Sequence, residues 1–226
     1  MSIRVRRKAA NTYQHGDLRE ALIQAGLKLL TDGGVANLGL RAAAQLAGVS
    51  HTAPYRHFQD KNALIDAIGE RGFQMLTARM REEIARVATA DALARLSASG
   101  VGYVRFALQN PGYFRVIFSG LIAGDAVSPA LHAAGEEAYG VLRGLVTEGV
   151  ASGALVTKSI DTLSLCAWSL VHGLSMLAID GKLSAWGEGQ TLSDVVTREL
   201  LALLTTGIGR AGAAPVQRGT RRTSKS

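Results

Sequence analysis

Residues 38–58 read LGLRAAAQLAGVSHTAPYRHF, an alanine-rich run of helical character, a Gly48-Val49-Ser50 turn, and a second short segment carrying Tyr55 and Phe58. Two short helices joined by a turn with glycine at its centre describe a helix-turn-helix, whose second helix can enter the major groove of DNA. Gly48 can take a positive φ and end the first helix, and Ser50 is a good N-cap for the next. Ala47 and Val49 are then expected to point inward, and Arg41, His51, Thr52, Tyr55 and Arg56 outward.

Leu40, Arg41, Ala44, Ala47, Gly48, Val49, Ser50, Tyr55, Phe58, Lys61 and Leu64 together resemble the DNA-binding signature of the TetR family of bacterial transcriptional regulators. The resemblance implies an all-α chain with an N-terminal three-helix helix-turn-helix domain followed by a helical ligand-binding and dimerisation domain. Three positions depart from the pattern. Gly39 stands where the family usually has Thr, so a capping hydroxyl is missing. Thr52 replaces Gly, and Pro54 replaces an aliphatic residue. Proline is tolerated in the first helical turn, where backbone N–H groups lack partners. A recognition helix of only about two turns, from near His51 to Phe58, is therefore expected.

Charge distribution agrees. Residues 1–61 hold nine Lys/Arg against four Asp/Glu, 62–206 eleven against fourteen, and 207–226 five against none, for a net charge of +7. Basic character belongs to the two ends, as phosphate contact requires, since each neutralised phosphate releases counterions. The competing interpretation is that basic ends merely aid solubility. Arg4, Arg6, Arg7 and Lys8 lie on a flexible basic arm, residues 1–12, able to make an accessory DNA contact.

The chain has 226 residues, 47% of them hydrophobic, with four prolines. That suits a folded helical protein with one large or two small cores. The single cysteine, Cys166, cannot form an internal disulfide, which suits a reducing cytoplasm. No apolar segment follows the basic N-terminus, so a secretory signal is not expected. The expected location is the bacterial cytoplasm, on the nucleoid when DNA is bound.

In chain order, the first helix is expected from Asp17, with Glu20 completing a capping box, to Gly33-Gly34. Tyr13-Gln14-His15-Gly16 also resembles the lead-in of one subgroup of the family. A helix from Lys61 to near Val87, about 26 residues and roughly 40 Å at ~1.5 Å per residue, is long enough to link two domains. Further helices are expected over Ala92–Asn110, around the aromatic Tyr113–Phe118 segment, and over Ala130–Ser152, Ser159–Asp180 and Leu192–Ile208. Gly120–Pro129 reads as a loop. The domain division expected is 13–61 for DNA binding and 62–209 for effector binding and dimerisation, with a disordered basic tail over 210–226.

Residues 162–179, TLSLCAWSLVHGLSMLAI, contain no Lys, Arg, Asp or Glu, which approaches the composition of a transmembrane helix. Three serines, a threonine and a histidine dilute it, and no basic flank marks an orientation. The favoured reading is a helix covered by its own core on one side and a second subunit on the other. The family's last two helices form a four-helix dimer interface, to which Leu192, Val195, Val196, Glu199, Leu200, Leu203 and Leu204 would contribute.

Trp168, His172 and Gly173 spell Trp-x-x-x-His-Gly, resembling the ligand-domain motif of a subgroup named for those residues. Trp168 and His172 share a helical face, and Gly173 would permit close helix approach. One reading makes Trp168 and His172 line an effector pocket with Tyr103, Phe106, Phe114, Phe118 and Met176. The other makes His172 a core histidine bonded to a backbone carbonyl.

No catalytic, metal or cofactor motif emerges. His15, His51, His57, His132 and His172 lack metal-ligand spacing, and Cys166 has no evident activator. Gly207, Gly209 and Gly212 fit Gly-x-Gly-x-x-Gly, but without the strand before and helix after that a dinucleotide site needs.

The expectation is a homodimeric regulator, a repressor released from a palindromic operator by a small, largely apolar effector. DNA contacts are expected from Arg41, His51, Thr52, Tyr55, Arg56 and His57, and the resemblance implies a phosphate contact by Lys61. Rival readings are an activator, a non-specific architectural DNA-binding protein, or an enzyme or carrier whose basic head is incidental.

Overall fold

The structure is a computed structural model; it describes residues 15–88, 91–120, 127–157, 159–183 and 194–206. The basic arm 1–12, the tail 210–226 and Leu192 lie outside the described residues.

Eight α-helices and one 3₁₀ turn, with no strand, make up the described residues. The head comprises α1 (His15–Asn37), α2 (Leu40–Leu46) and the 3₁₀ turn Ala53–Arg56. Helix α1 begins two residues before the expected Asp17. It breaks at Gly34, whose φ of 70° an L side chain rarely adopts. The chain then continues as α3 (Lys61–Ala85), α4 (Ala92–Gln109), α5 (Pro111–Ile117), α6 (Pro129–Ala151), α7 (Ile160–Ile179) and α8 (Asp194–Thr206).

Most helix starts are dictated locally. Asp60 accepts from the Ala63 N–H at 2.8 Å, Asp91 from Leu93 at 3.0 Å, Ser128 from Leu131 at 3.3 Å and Ser159 from Thr162 at 3.1 Å. Each such cap contributes about 1 kcal/mol. At Gly39 no side chain caps α2, as the missing hydroxyl requires. Pro111 and Pro129 sit in the first turns of α5 and α6, where no N–H bond is lost.

Helix α3 is the axle of the molecule, packing against α1, α4, α5 and α6. One hydrophobic core runs along it without interruption. At the head it holds Leu22, Ile23, Leu40, Phe58 and Leu64, and farther along Leu76, Met80, Phe106 and Phe114. Helices α3 and α4 cross closely because position 102 is glycine, where a Cβ would lie 2.7 Å from the Met80 Cα.

Beside this crossing lies a charged lock that the sequence reading missed. Glu83, 5% exposed, accepts from Arg86 at 2.6 Å and from Arg105 of α4, with Arg79 Nε 3.6 Å away. A carboxylate can be buried there only because these guanidinium groups compensate its lost hydration.

Among the described residues one helix, α7, is long and apolar enough to cross a membrane, with a mean hydropathy of 1.6. It packs against α4, α6 and α8. Its opposite side leaves Leu165, Cys166, Ser169 and Leu177 exposed. Among the described residues no other helix makes the close approach expected at Gly173, since nothing lies within 4 Å of where its Cβ would be. On α8, Thr197 and Leu201 face the core, whereas Glu199 and Leu203 are exposed and Val196, Leu200 and Leu204 are partly covered; the Val195 side chain is outside the described set.

Candidate DNA-reading head and effector cavity

Helix α2 ends in a Schellman turn. The Val49 N–H bonds the Ala44 carbonyl at 3.0 Å, the Gly48 N–H bonds Gln45 at 3.1 Å, and Gly48 has φ 70°. Ala47 and Val49 pack half-buried against the core, as expected from the turn.

The reading segment is shorter than expected. Instead of two turns over 51–58 there is one 3₁₀ turn, Ala53–Arg56. Pro54 has no N–H to donate to the Ser50 carbonyl four residues back, so Ala53 takes that acceptor at 3.0 Å and winds the segment tighter. Ser50 does not act as a cap either. Its hydroxyl pairs with that of Thr52 at 3.2 Å.

Pro54 and Phe58 are buried anchors that turn the opposite side outward. Arg41, His51, Thr52, Tyr55 and Arg56 are exposed, Tyr55 at 53%, while His57 is half-buried. Lys61 opens α3 half-buried, and its ammonium donates to the Val35 carbonyl just past the α1 break. That leaves two ammonium protons for another acceptor.

A second feature lies in the helical body. A cavity of about 330 Å³ is walled by Phe73, Leu76 and Met80 of α3, Tyr103 of α4, Tyr139 of α6 and Trp168 of α7, with Phe118 and Leu201 closing it. Of the seven residues the sequence suggested, Tyr103, Phe118 and Trp168 line this space. Phe106, Phe114, His172 and Met176 do not. Phe106 of α4 and Phe114 of α5 are buried in the core instead.

His172 stands just behind the wall. Phe114 stacks on it at 5.4 Å and Phe118 meets it edge-on at 4.7 Å. Its Nδ1 lies 2.9 Å from the Tyr103 hydroxyl rather than against the backbone carbonyl expected for a core histidine. The Trp168 indole N–H donates to the same hydroxyl at 3.2 Å. Burial depresses the His172 pKa, favouring the neutral ring. Burial also pushes the Tyr103 phenol well above its ordinary range, the Trp168 bond opposing in part, so it keeps its proton.

Residues 22–68 match the family described as bacterial regulatory proteins, tetR family, and residues 96–203 match the tetracyclin repressor-like C-terminal domain. The chain belongs to the TetR family. It is a DNA-binding transcriptional regulator; the reading turn falls in the first matched region, and the cavity is walled by residues of the second together with Phe73, Leu76 and Met80 of α3, which lie between the two.

The tetracycline repressor protein class C of Escherichia coli is 46% identical over 52 residues, covering 23% of this chain and 24% of that protein. The chain therefore matches about a quarter of that relative's length. A protein of unknown function from Rhodococcus sp. RHA1 shares the fold with a TM-score of 0.75 and 32% identity, covering 88% of this chain and 98% of that one. The TetR family transcriptional regulator PfmR from Thermus thermophilus superposes with a TM-score of 0.63 at 20% identity, covering 84% and 99%.

Among the described residues no group of three His, Cys, Asp or Glu side chains could hold a metal ion.

Proposed function

We propose that this TetR-family regulator is a homodimeric repressor that binds a palindromic operator and is released by a small, largely apolar effector. Residues 13–61 act as the reading head and 62–209 as the effector-binding and dimerising body. Arg41, His51, Thr52, Tyr55, Arg56 and His57 contact groove and backbone, and Lys61 a phosphate. Tyr103, Phe118 and Trp168 contact the effector. The observation carrying this reading is one continuous helix, α3, that begins at the reading head with Lys61 and walls the cavity with Phe73, Leu76 and Met80.

An effector that prefers a conformation with mis-spaced heads must weaken DNA affinity, and DNA must weaken effector affinity by the same factor. The exposed α7 face with Leu165, Cys166, Ser169 and Leu177, continued by Leu203 of α8, supports pairing with a second copy. Such pairing also accounts for the apolar composition of α7 in a protein of the cytoplasm.

Sequencing the DNA fragments retained by purified protein from a random pool tests this. An inverted repeat with constant half-site spacing is expected, bound by a dimer in gel filtration. A monomer without preference between the selected and scrambled duplexes would sink the proposal.

A further inference from the structure

We infer that the cavity selects an uncharged, largely apolar molecule carrying a hydrogen-bond donor such as a hydroxyl, and discriminates against carboxylates and donor-free ethers. This rests on the assignment of the cavity as the effector site.

Among the described residues no Asp, Glu, Lys, Arg or His lines the cavity. A charged guest would lose its hydration without a counter-charge. The volume of about 330 Å³ holds roughly ten water-sized groups at ~30 Å³ each.

Four lining side chains carry polar hydrogens, and those of Ser99, Trp168 and Tyr103 are already committed. Ser99 donates its hydroxyl proton to the Leu96 carbonyl at 2.7 Å, and Trp168 donates its indole N–H to Tyr103. The Tyr103–His172 bond at 2.9 Å can run either way, and burial decides. If His172 donated, the Tyr103 proton would be stranded on a residue 5% exposed. If Tyr103 donates, the free N–H is the Nε2–H of His172, which is only half-buried and can reach water. The second arrangement is therefore favoured. Ser99 and Tyr103 then offer a guest lone pairs only. Tyr139, 37% exposed, keeps its proton where water reaches, so a bond there discriminates little.

Calorimetric titration with 4-butylphenol, its methyl ether and 4-butylbenzoate tests the inference. The phenol should bind about tenfold tighter than the ether, the worth of one buried hydrogen bond, and the benzoate weakest. His172→Phe frees the Tyr103 proton and should raise ether affinity toward that of the phenol. Equal binding of phenol and ether by the wild type, both lost in the cavity-filling Leu142→Trp, overturns the donor preference but leaves the cavity as the site. Binding of no probe, or binding untouched by Leu142→Trp, overturns both. Circular dichroism checks the fold, and Ala138→Phe replaces Leu142→Trp if that variant unfolds.

Discussion

The Gln24 side chain of α1 donates a hydrogen bond to the Tyr113 hydroxyl of α5 at 2.9 Å, bridging 89 positions of sequence. Helix α5 is followed directly by its C-cap Phe118, which lines the cavity, so this bond ties the reading head to an element that carries the cavity wall. Gly112 of the same helix lies against Thr31 and Leu27 of α1, extending the contact.

Tyr113→Phe should therefore loosen the head from the body. Removing one partly buried hydrogen bond is expected to cost about 1 kcal/mol of unfolding free energy. Hydrogen exchange should show faster amide exchange in α1, with α7 unchanged. Uniform protection in both proteins would count against the tie.

Arg56→Ala and Lys61→Ala should both weaken operator binding, and each should reduce the salt slope of log affinity by about 1. Their effects on stability should differ. Exposed Arg56 has no role in packing, whereas Lys61 satisfies the Val35 carbonyl, so only Lys61→Ala should lower the melting temperature. A salt titration and a thermal melt of each variant separate the two roles.

Glu83→Gln replaces the buried carboxylate shared by Arg79, Arg86 and Arg105, while exposed Glu82 still pairs with Arg79 at 2.8 Å and with Arg86 at 2.5 Å. Complete breakage of a buried pair costs about 3–5 kcal/mol, but these arginines are partly exposed and can rehydrate. A loss of about 2 kcal/mol is expected in urea unfolding. A loss below 0.5 kcal/mol would mean the lock contributes no more than an ordinary surface ion pair.

Acid should destabilise the protein through His172. Its pKa is lower folded than unfolded, so the folded state resists protonation. The stabilisation is complete above the unfolded value of about 6.5 and is lost as pH falls from there toward the folded value. Protonation also removes the Nδ1 acceptor from Tyr103. Melts between pH 5 and 8 should fall more steeply on the acid side for wild type than for His172→Phe.

Helix positions were legible because their signals are local. Ala92–Asn110 was expected and Ala92–Gln109 found; Ser159–Asp180 was expected and Ile160–Ile179 found, with Ser159 as the cap. The reading segment was only half legible. Pro54 signalled a short element, but its redirection of the Ser50 carbonyl to Ala53 depends on three-dimensional hydrogen bonding. The cavity was less legible still. Tyr103 and Phe106 stand three apart on one helix, yet one lines the space and the other is buried in the core. What separates them is the rotation of α4 against α3, set by a backbone contact at Gly102 that no side-chain pattern encodes.

The single 3₁₀ turn of the head has a consequence for how much genome one subunit can inspect. Four residues at ~2.0 Å each extend about 8 Å, little more than two base-pair steps of ~3.4 Å. So brief a probe samples few letters per half-site. The remaining information must come from the geometry of the duplex itself, its bendability and the distance between the two marks. Operators of this regulator should tolerate letter changes better than a single inserted base pair.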